Sequence, residues 1–355
     1  MYNFDMNYMN NVIKKGNKLL LNKNLSEMNK ELIIDDINMF KRFINNNYEI
    51  IGGNSFYTKK DSFSKLRVDF LKEAKEHYEF LGESLIDYII KIYKSNMFNY
   101  EQNNIEQIVP FEKQVELTLK NYKIVSPKLY EYAKKFIIDK SVSQIQVVND
   151  INVSSFCHYS DIVKLPFVII NPNELSNIFN HEVQHALEDM LRLKVPNVYA
   201  ELGSITLELL FNDRLYEEQN FLFESDYGDR LEDISFLLIQ LCDYLQLLKR
   251  LKKYNFNLND MEFKKLCSYY IGADEDKIYD YLIDVLNDCF YDSYMCYVLS
   301  FFKAIEIRKM HKNHDVLDLL KMYYTKNFKF EIPQDGYKIY EKYVDEMKQK
   351  TKRIM

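Results

Sequence analysis

Residues that favour turns are scarce along this chain. Its 355 residues include only 8 glycines and 6 prolines, whereas an all-β sandwich or barrel needs frequent turn residues between its short strands. Apolar side chains instead recur at steps of three and four residues, as at Leu66, Phe70, Ala74 and Tyr78. The sequence therefore predicts a mostly α-helical protein built from long helices.

Two short segments depart from this helical periodicity. β-Branched residues alternate in SVSQIQVV at 141–148, and LPFVIIN at 165–171 is a short apolar run followed by proline. Both patterns predict strands, so we expect a small β-sheet in the middle of the chain. We accordingly expect an N-terminal helical region (1–140), a central region with the sheet (141–312) and a C-terminal helical tail (313–355).

Composition and charge exclude several classes of protein. Hydrophobic residues make up 47% of the chain, which excludes a disordered protein. The net charge of −6 gives no overall positive field that would attract nucleic acid or anionic membranes. The most apolar long stretch, 234–248, is too short and too often interrupted by polar residues to span a bilayer. Five cysteines without a C-x-x-C pair indicate reduced thiols, so we expect a cytoplasmic protein.

The segment NHEVQHAL contains an H-E-x-x-H pattern at His181, Glu182 and His185. It lies within a stretch of helical periodicity, and residues four apart on a helix project from the same face. The two imidazoles can therefore hold one zinc ion, while Glu182 lies beside them and can take a proton from water. This spacing predicts a catalytic zinc site.

A catalytic zinc site of this kind needs a third protein ligand. No histidine lies between His185 and His311, but the predicted helix after Pro196 offers Glu201 and Glu208 on one face. If the first helix continues to about residue 193, the rise of about 1.5 Å per residue favours Glu208 over Glu201. The residues alone leave both glutamates as candidates.

The stretches PFVIINPNELSNIFNHEVQHAL and AELGSITLELL resemble the core of the M3 zinc peptidases, the group of thimet oligopeptidase and oligoendopeptidase F. The resemblance covers about residues 150–310 and implies a zincin-like (gluzincin) metallopeptidase core with a small sheet beside the H-E-x-x-H helix. It implies His181, His185 and Glu201 as zinc ligands, with Glu208 bonding a ligand histidine. We therefore prefer Glu201 to Glu208 as the third ligand.

The resemblance also suggests where substrate binds. YDSYMCYVLS at 291–300 is similar to a tyrosine-rich family segment that helps to hold the oxyanion, which implies Tyr297, with Tyr291 and Tyr294 as weaker candidates. In zinc peptidases of this kind an edge strand pairs with the extended substrate backbone. We expect that strand to consist of four consecutive residues, namely Phe167, Val168, Ile169 and Ile170.

The chain departs from the family pattern in three ways. Gln184 stands where the family has glycine, the interval from His185 to Glu201 is short, and the histidine expected before the tyrosine-rich segment is missing. Complete family members are also substantially longer. A shorter chain suggests a more open site, or one that a second copy of the chain completes.

These observations favour a zinc-dependent endopeptidase that cleaves internal bonds of oligopeptides or of an exposed segment of a precursor polypeptide. The first alternative is a degenerate relative that keeps the fold to bind a peptide or a partner protein. The second is a helical interaction protein in which the motif is accidental and which binds no stoichiometric zinc. A peptide is the expected partner, and neither nucleic acid nor membrane is expected.

Overall fold

A computed structural model describes most of the chain. The described residues are 6–44, 57–98, 109–139, 145–148, 153–174, 177–218, 222–272, 274–288, 290–325, 330, 332–333 and 337–354. Within these ranges the structure is mostly helical with one small sheet, as the sequence predicts. The gluzincin topology and the three-part division of the chain stay predictions.

Within the described residues, six helices precede the sheet: α1 (Met6–Leu20), α2 (Glu27–Ile44), α3 (Phe63–Leu81), α4 (Glu83–Lys94), α5 (Phe111–Val125) and α6 (Pro127–Ile138). A single residue, Ser126, separates α5 from α6, and it caps the N-terminus of α6. Its hydroxyl accepts a hydrogen bond from the Leu129 amide, and Pro127 occupies the first turn, where an N–H is not needed.

The sheet has three strands, β1 (Ile145–Val147), β2 (Phe156–Ser160) and β3 (Leu165–Ile170). Their order is β1-β3-β2, with β1 parallel and β2 antiparallel to β3. Ile145 pairs with Val168, and Cys157 pairs with the same residue from the other side. The central strand is therefore β3, and its backbone is paired along both edges.

Alternate side chains of β3 enter two separate cores. Val168 and Ile170 pack in the large core among the helices, whereas Phe167 and Ile169 pack against α1 and α2. All four are completely buried. Because both faces of β3 are covered, its sequence is a continuous apolar run and does not alternate.

In the described part of the chain after the sheet there are eight α-helices: α7 (Ile178–Met190), α8 (Leu202–Glu217), α9 (Leu222–Lys253), α10 (Asp260–Tyr270), α11 (Glu275–Asp288), α12 (Phe290–Met310), α13 (Val316–Thr325) and α14 (Lys338–Ile354). Helix α7 packs on β2, β3 and α8, and α12 packs on α8 and α9. None of the described helices is long and apolar enough to cross a membrane.

Candidate active site

Helix α7 carries both histidines of the H-E-x-x-H pattern. His181 and His185 are one turn apart, and their Nε2 atoms lie 3.1 Å from each other. Nine of the thirteen residues of α7 are buried, including His181 and Glu182. The helix thus holds the two imidazoles inside the protein, with their Nε2 atoms directed at a common point.

Glu201 brings a third donor atom to this point. Its Oε2 lies 3.2 Å from Nε2 of His181 and 3.3 Å from Nε2 of His185. The short interval is sufficient because α7 ends at Met190 and the chain returns through a single 3-10 turn, Asn197–Tyr199. Glu201 then immediately precedes α8, beside the middle of α7.

Glu208 occupies the other side of the His181 ring. Its Oε1 lies 2.6 Å from Nδ1 of His181, and its side chain has no exposed surface. A carboxylate at this position accepts a hydrogen bond from Nδ1–H and leaves Nε2 facing Glu201. The structure therefore separates the two candidates: Glu201 faces both Nε2 atoms, whereas Glu208 bonds the rear of one ring.

Electrostatics at this point favour a cation. Burial lowers the pKa of His181, but the carboxylates of Glu208 and Glu201 outweigh burial and raise it to about 10. Burial likewise lowers the pKa of His185, and the hydrogen bond with Glu201 more than offsets it. The two imidazoles in turn hold the pKa of Glu201 far below its usual range, against the effect of burial. Positive charge is therefore strongly stabilised between these groups.

Two observations show that a zinc ion fits these residues. The donor set of two imidazole nitrogens and one carboxylate oxygen is that of a His₂Glu catalytic site. Ligands bound tetrahedrally at about 2.0–2.1 Å lie about 3.3–3.4 Å from one another. The separations of 3.1–3.3 Å among the three donor atoms are close to that spacing.

Glu182 lines the same cavity as the three donors, a space of about 500 Å³. Its side chain is buried, and burial raises the pKa of Glu182 above that of an ordinary glutamate. The imidazoles of His181 and His185 oppose this rise only in part. A carboxylate with a raised pKa is suited to accept a proton and donate it again near neutral pH.

The three candidate tyrosines differ in their position relative to the cavity. Tyr297, on α12, lines the cavity together with Glu182 and Glu201. Tyr294 is half-buried, burial raises its pKa, and it does not contribute to the described cavity wall. The side chain of Tyr291 lies outside the described residues.

The prediction that Phe167–Ile170 form an edge strand is wrong. These residues belong to β3, which lies between β1 and β2, so their backbone groups are already paired on both sides. Among the described strands, β2 lies at the edge of the sheet beside the cavity, and its Phe156 and Cys157 line the cavity with His181 and Glu182.

A buried polar network behind His185 was not predicted from the sequence. Glu188 is 4% exposed and accepts hydrogen bonds from the Gln184 amide (3.0 Å) and the Tyr324 hydroxyl (2.6 Å). Tyr122 donates a hydrogen bond to Gln184 from the opposite side. A usable signal was present, since Gln184 and Glu188 share one face of a helix with few solvated positions.

Comparisons with known proteins reveal a fold in common but no close sequence relative. No protein-family model and no curated protein sequence matches the chain. Among solved structures, a protein described as a peptidase from Chlamydophila abortus matches over 91% of this chain with a TM-score of 0.50 and 12% identity. PZ peptidase A (TM-score 0.43, 13% identity) and an oligoendopeptidase F from Bacillus anthracis str. Ames (0.39, 14%) match over 90% and 92% of this chain.

The likeness to the Chlamydophila protein shows that this chain has the fold of a protein described as a peptidase. The chain spans 61% of that protein's length, and 65% and 63% of the other two. At this level of identity the likeness concerns the fold alone. The chemistry must therefore be argued from the cavity of this chain.

Proposed function

We propose that the protein is a zinc-dependent endopeptidase that hydrolyses internal bonds of oligopeptides or of an exposed segment of a precursor polypeptide. The observation that carries this proposal is the convergence of His181, His185 and Glu201 on one point of a cavity that Glu182 also lines. The peptidase fold of the structural neighbour agrees with it.

His181, His185 and Glu201 would hold the metal, and Glu208 would fix the ring of His181. A zinc ion bound there lowers the pKa of water and polarises a carbonyl group. Glu182 accepts a proton from the attacking water and passes it to the leaving amine, which its raised pKa favours. The hydroxyl of Tyr297 donates a hydrogen bond to the developing oxyanion.

The outer edge of β2 is the best candidate to hold the substrate backbone. It is the terminal strand of the described sheet, and Phe156 and Cys157 line the cavity beside Glu182. An extended peptide that adds to such an edge is bound through its main chain, largely independently of its sequence. This arrangement would present an internal peptide bond to Glu182.

The proposal is tested by mass spectrometry of a diverse peptide mixture incubated with the purified protein. The Glu182→Gln variant, which keeps the size of the side chain and removes the base, is run in parallel. An exposed glutamate on α3, changed in Glu76→Gln, serves as the control. We expect internal cleavage by the wild type and by the control, and intact peptides with Glu182→Gln.

The principal alternative is a degenerate relative that binds a peptide or a partner without cleaving it. It predicts stoichiometric zinc with intact peptides in all samples. A helical interaction protein with an accidental motif predicts neither zinc nor cleavage. Cleavage that persists unchanged in Glu182→Gln would contradict the role proposed for this residue.

A further inference from the structure

A second cavity, separate from the candidate active site, lies between α8, α14 and the end of α12. Its volume is about 560 Å³, within the range typical of small-molecule sites. Seven lysine and arginine side chains line it, against three acidic ones. Such an excess of positive charge is unusual in a chain whose net charge is −6.

The acidic groups of this cavity are largely neutralised within its wall. Arg308 forms a two-point ion pair with Asp213, at 2.6 Å for each contact, and a further one with Glu346. Lys350 contacts the same two carboxylates, at 3.1 Å and 2.9 Å. These four residues form a neutral cluster, and the rest of the lining has five basic side chains and a single acidic one, Glu217.

Four lysines form two like-charged pairs around this cluster. Lys309 lies in the last turn of α12 and Lys312 in the 3-10 turn that follows it (His311–Asn313), whereas Lys338 and Lys342 are one turn apart on α14. Among the described residues, no carboxylate forms an ion pair with any of the four. Like charges one turn apart on a helix, as at Lys338 and Lys342, are destabilising, so an anion bound beside them would reduce a repulsion as well as form new contacts.

Part of the cavity wall is apolar. Leu210, Ile305 and Ile339 line it alongside the lysines. A purely inorganic anion would use only the cationic groups, whereas an organic phosphate ester would also cover the apolar wall. A cavity of about 560 Å³ suits a small molecule, whereas a polymer needs an extended basic surface.

We propose that this cavity binds an organic polyphosphate of nucleotide size, with its phosphates between the lysine pairs Lys309/Lys312 and Lys338/Lys342. The proposal is independent of the peptidase activity, because none of these residues lines the candidate active site.

Isothermal titration calorimetry with ATP and with inorganic pyrophosphate, at about 0.15 M salt to screen weak surface contacts, tests the proposal. Two variants remove one lysine pair each: Lys309→Gln/Lys312→Gln and Lys338→Gln/Lys342→Gln. The control, Lys14→Gln/Lys18→Gln, removes two exposed lysines one turn apart on α1 and changes the net charge equally. Circular dichroism confirms that each variant is folded.

We expect saturable binding of ATP, tighter than that of pyrophosphate, by the wild type and the control. Each cavity variant is expected to bind ATP about tenfold or more weakly, since a charge-assisted hydrogen bond is lost with each pair. Absence of saturable ATP binding, or equal weakening in the control, would overturn the site. Equal affinities for ATP and pyrophosphate would contradict the proposal that the organic part of the ligand packs against the apolar wall.

Discussion

Nδ1 of His181 lies 2.6 Å from Oε1 of Glu208, a carboxylate with no exposed surface. This contact fixes the ring and leaves Nε2 of His181 facing Glu201. Glu208→Gln keeps the shape of the side chain but removes its charge. We expect zinc affinity to fall about 10- to 100-fold, as is usual when the partner of a ligand histidine is changed.

Competition with a chelator measures that affinity, and Glu232→Gln, an exposed glutamate on α9, is the control. Zinc affinity equal to that of the wild type in Glu208→Gln would show that the contact does not tune the site.

Glu201 and Glu208 are the two alternatives that the sequence left for the third ligand, and replacing each of them should lower zinc affinity to a different extent. Glu201 faces both Nε2 atoms, whereas Glu208 contacts only the rear of one ring. Glu201→Gln removes a proposed ligand, so we expect it to lose more zinc affinity than Glu208→Gln in the same competition assay. If Glu208→Gln proved the weaker binder, Glu208 would be the better candidate for the third ligand.

Gly203 is the residue at which α8 packs closely against the polar network behind His185. A Cβ atom at this position would lie 1.9 Å from Oε1 of Glu188 and 2.9 Å from the Tyr324 hydroxyl. Because hydrogen bonds hold that carboxylate in a buried position, Gly203→Ala forces a displacement. We expect the free energy of unfolding to fall by about 1–3 kcal/mol, the usual cost of overpacking a core.

Chemical denaturation measures this loss, and the double variant Glu188→Ser/Gly203→Ala tests its cause. Shortening Glu188 makes room for the new methyl group, so the double variant should lose less stability than the sum of the single variants. Strict additivity would mean that the crowding at Glu188 is not the reason.

The local parts of the site could be predicted from the sequence. The spacing of His181, Glu182 and His185 is meaningful only on a helix, and the surrounding periodicity predicts one. The position of Glu201 depended on where α7 ends. The helix ends at Met190, whereas the argument from helix rise assumed that it continues to about residue 193. The earlier end allows the short interval after His185 to bring Glu201 back to the two histidines. Helix ends depend on the chain that follows and are poorly defined by periodicity.

The non-local parts could not be predicted in the same way. The run from Phe167 to Ile170 indicates a strand correctly, but its place between β1 and β2 depends on pairing with distant segments. A continuous apolar run indicates a strand covered on both faces, but it does not tell whether the strand lies at an edge of the sheet. The contact between Glu188 and Tyr324 joins residues 136 positions apart and leaves no local pattern.

Stability in acid should depend on Glu346. Burial alone raises the pKa of this group, but hydrogen bonds from Arg308 and Lys350 outweigh burial and lower it to about 2. A group with a lowered folded-state pKa stabilises the protein above its unfolded pKa, which is about 4.3, and loses that contribution as the pH falls toward 2. Because the side chain is 40% exposed, solvent screening reduces the effect.

Thermal unfolding of the wild type and Glu346→Gln between pH 6 and pH 2 measures this contribution. The wild type should be the more stable at pH 6, and the difference should shrink as the pH falls below about 4.3. The Asp345→Asn variant, which changes an exposed neighbouring residue by the same charge, serves as the control. A difference that stays constant across this range would contradict the pKa shift as its source.

Stepwise zinc titration of chelator-treated protein, with cleavage of a susceptible peptide as the readout, tests the central claim most directly. We predict no cleavage without metal and a rise to a plateau at one zinc ion per chain, with zinc bound but no cleavage in Glu182→Gln. Full cleavage by the metal-free protein, or one bound zinc without any cleavage by the wild type, would contradict the assignment as a zinc-dependent peptidase.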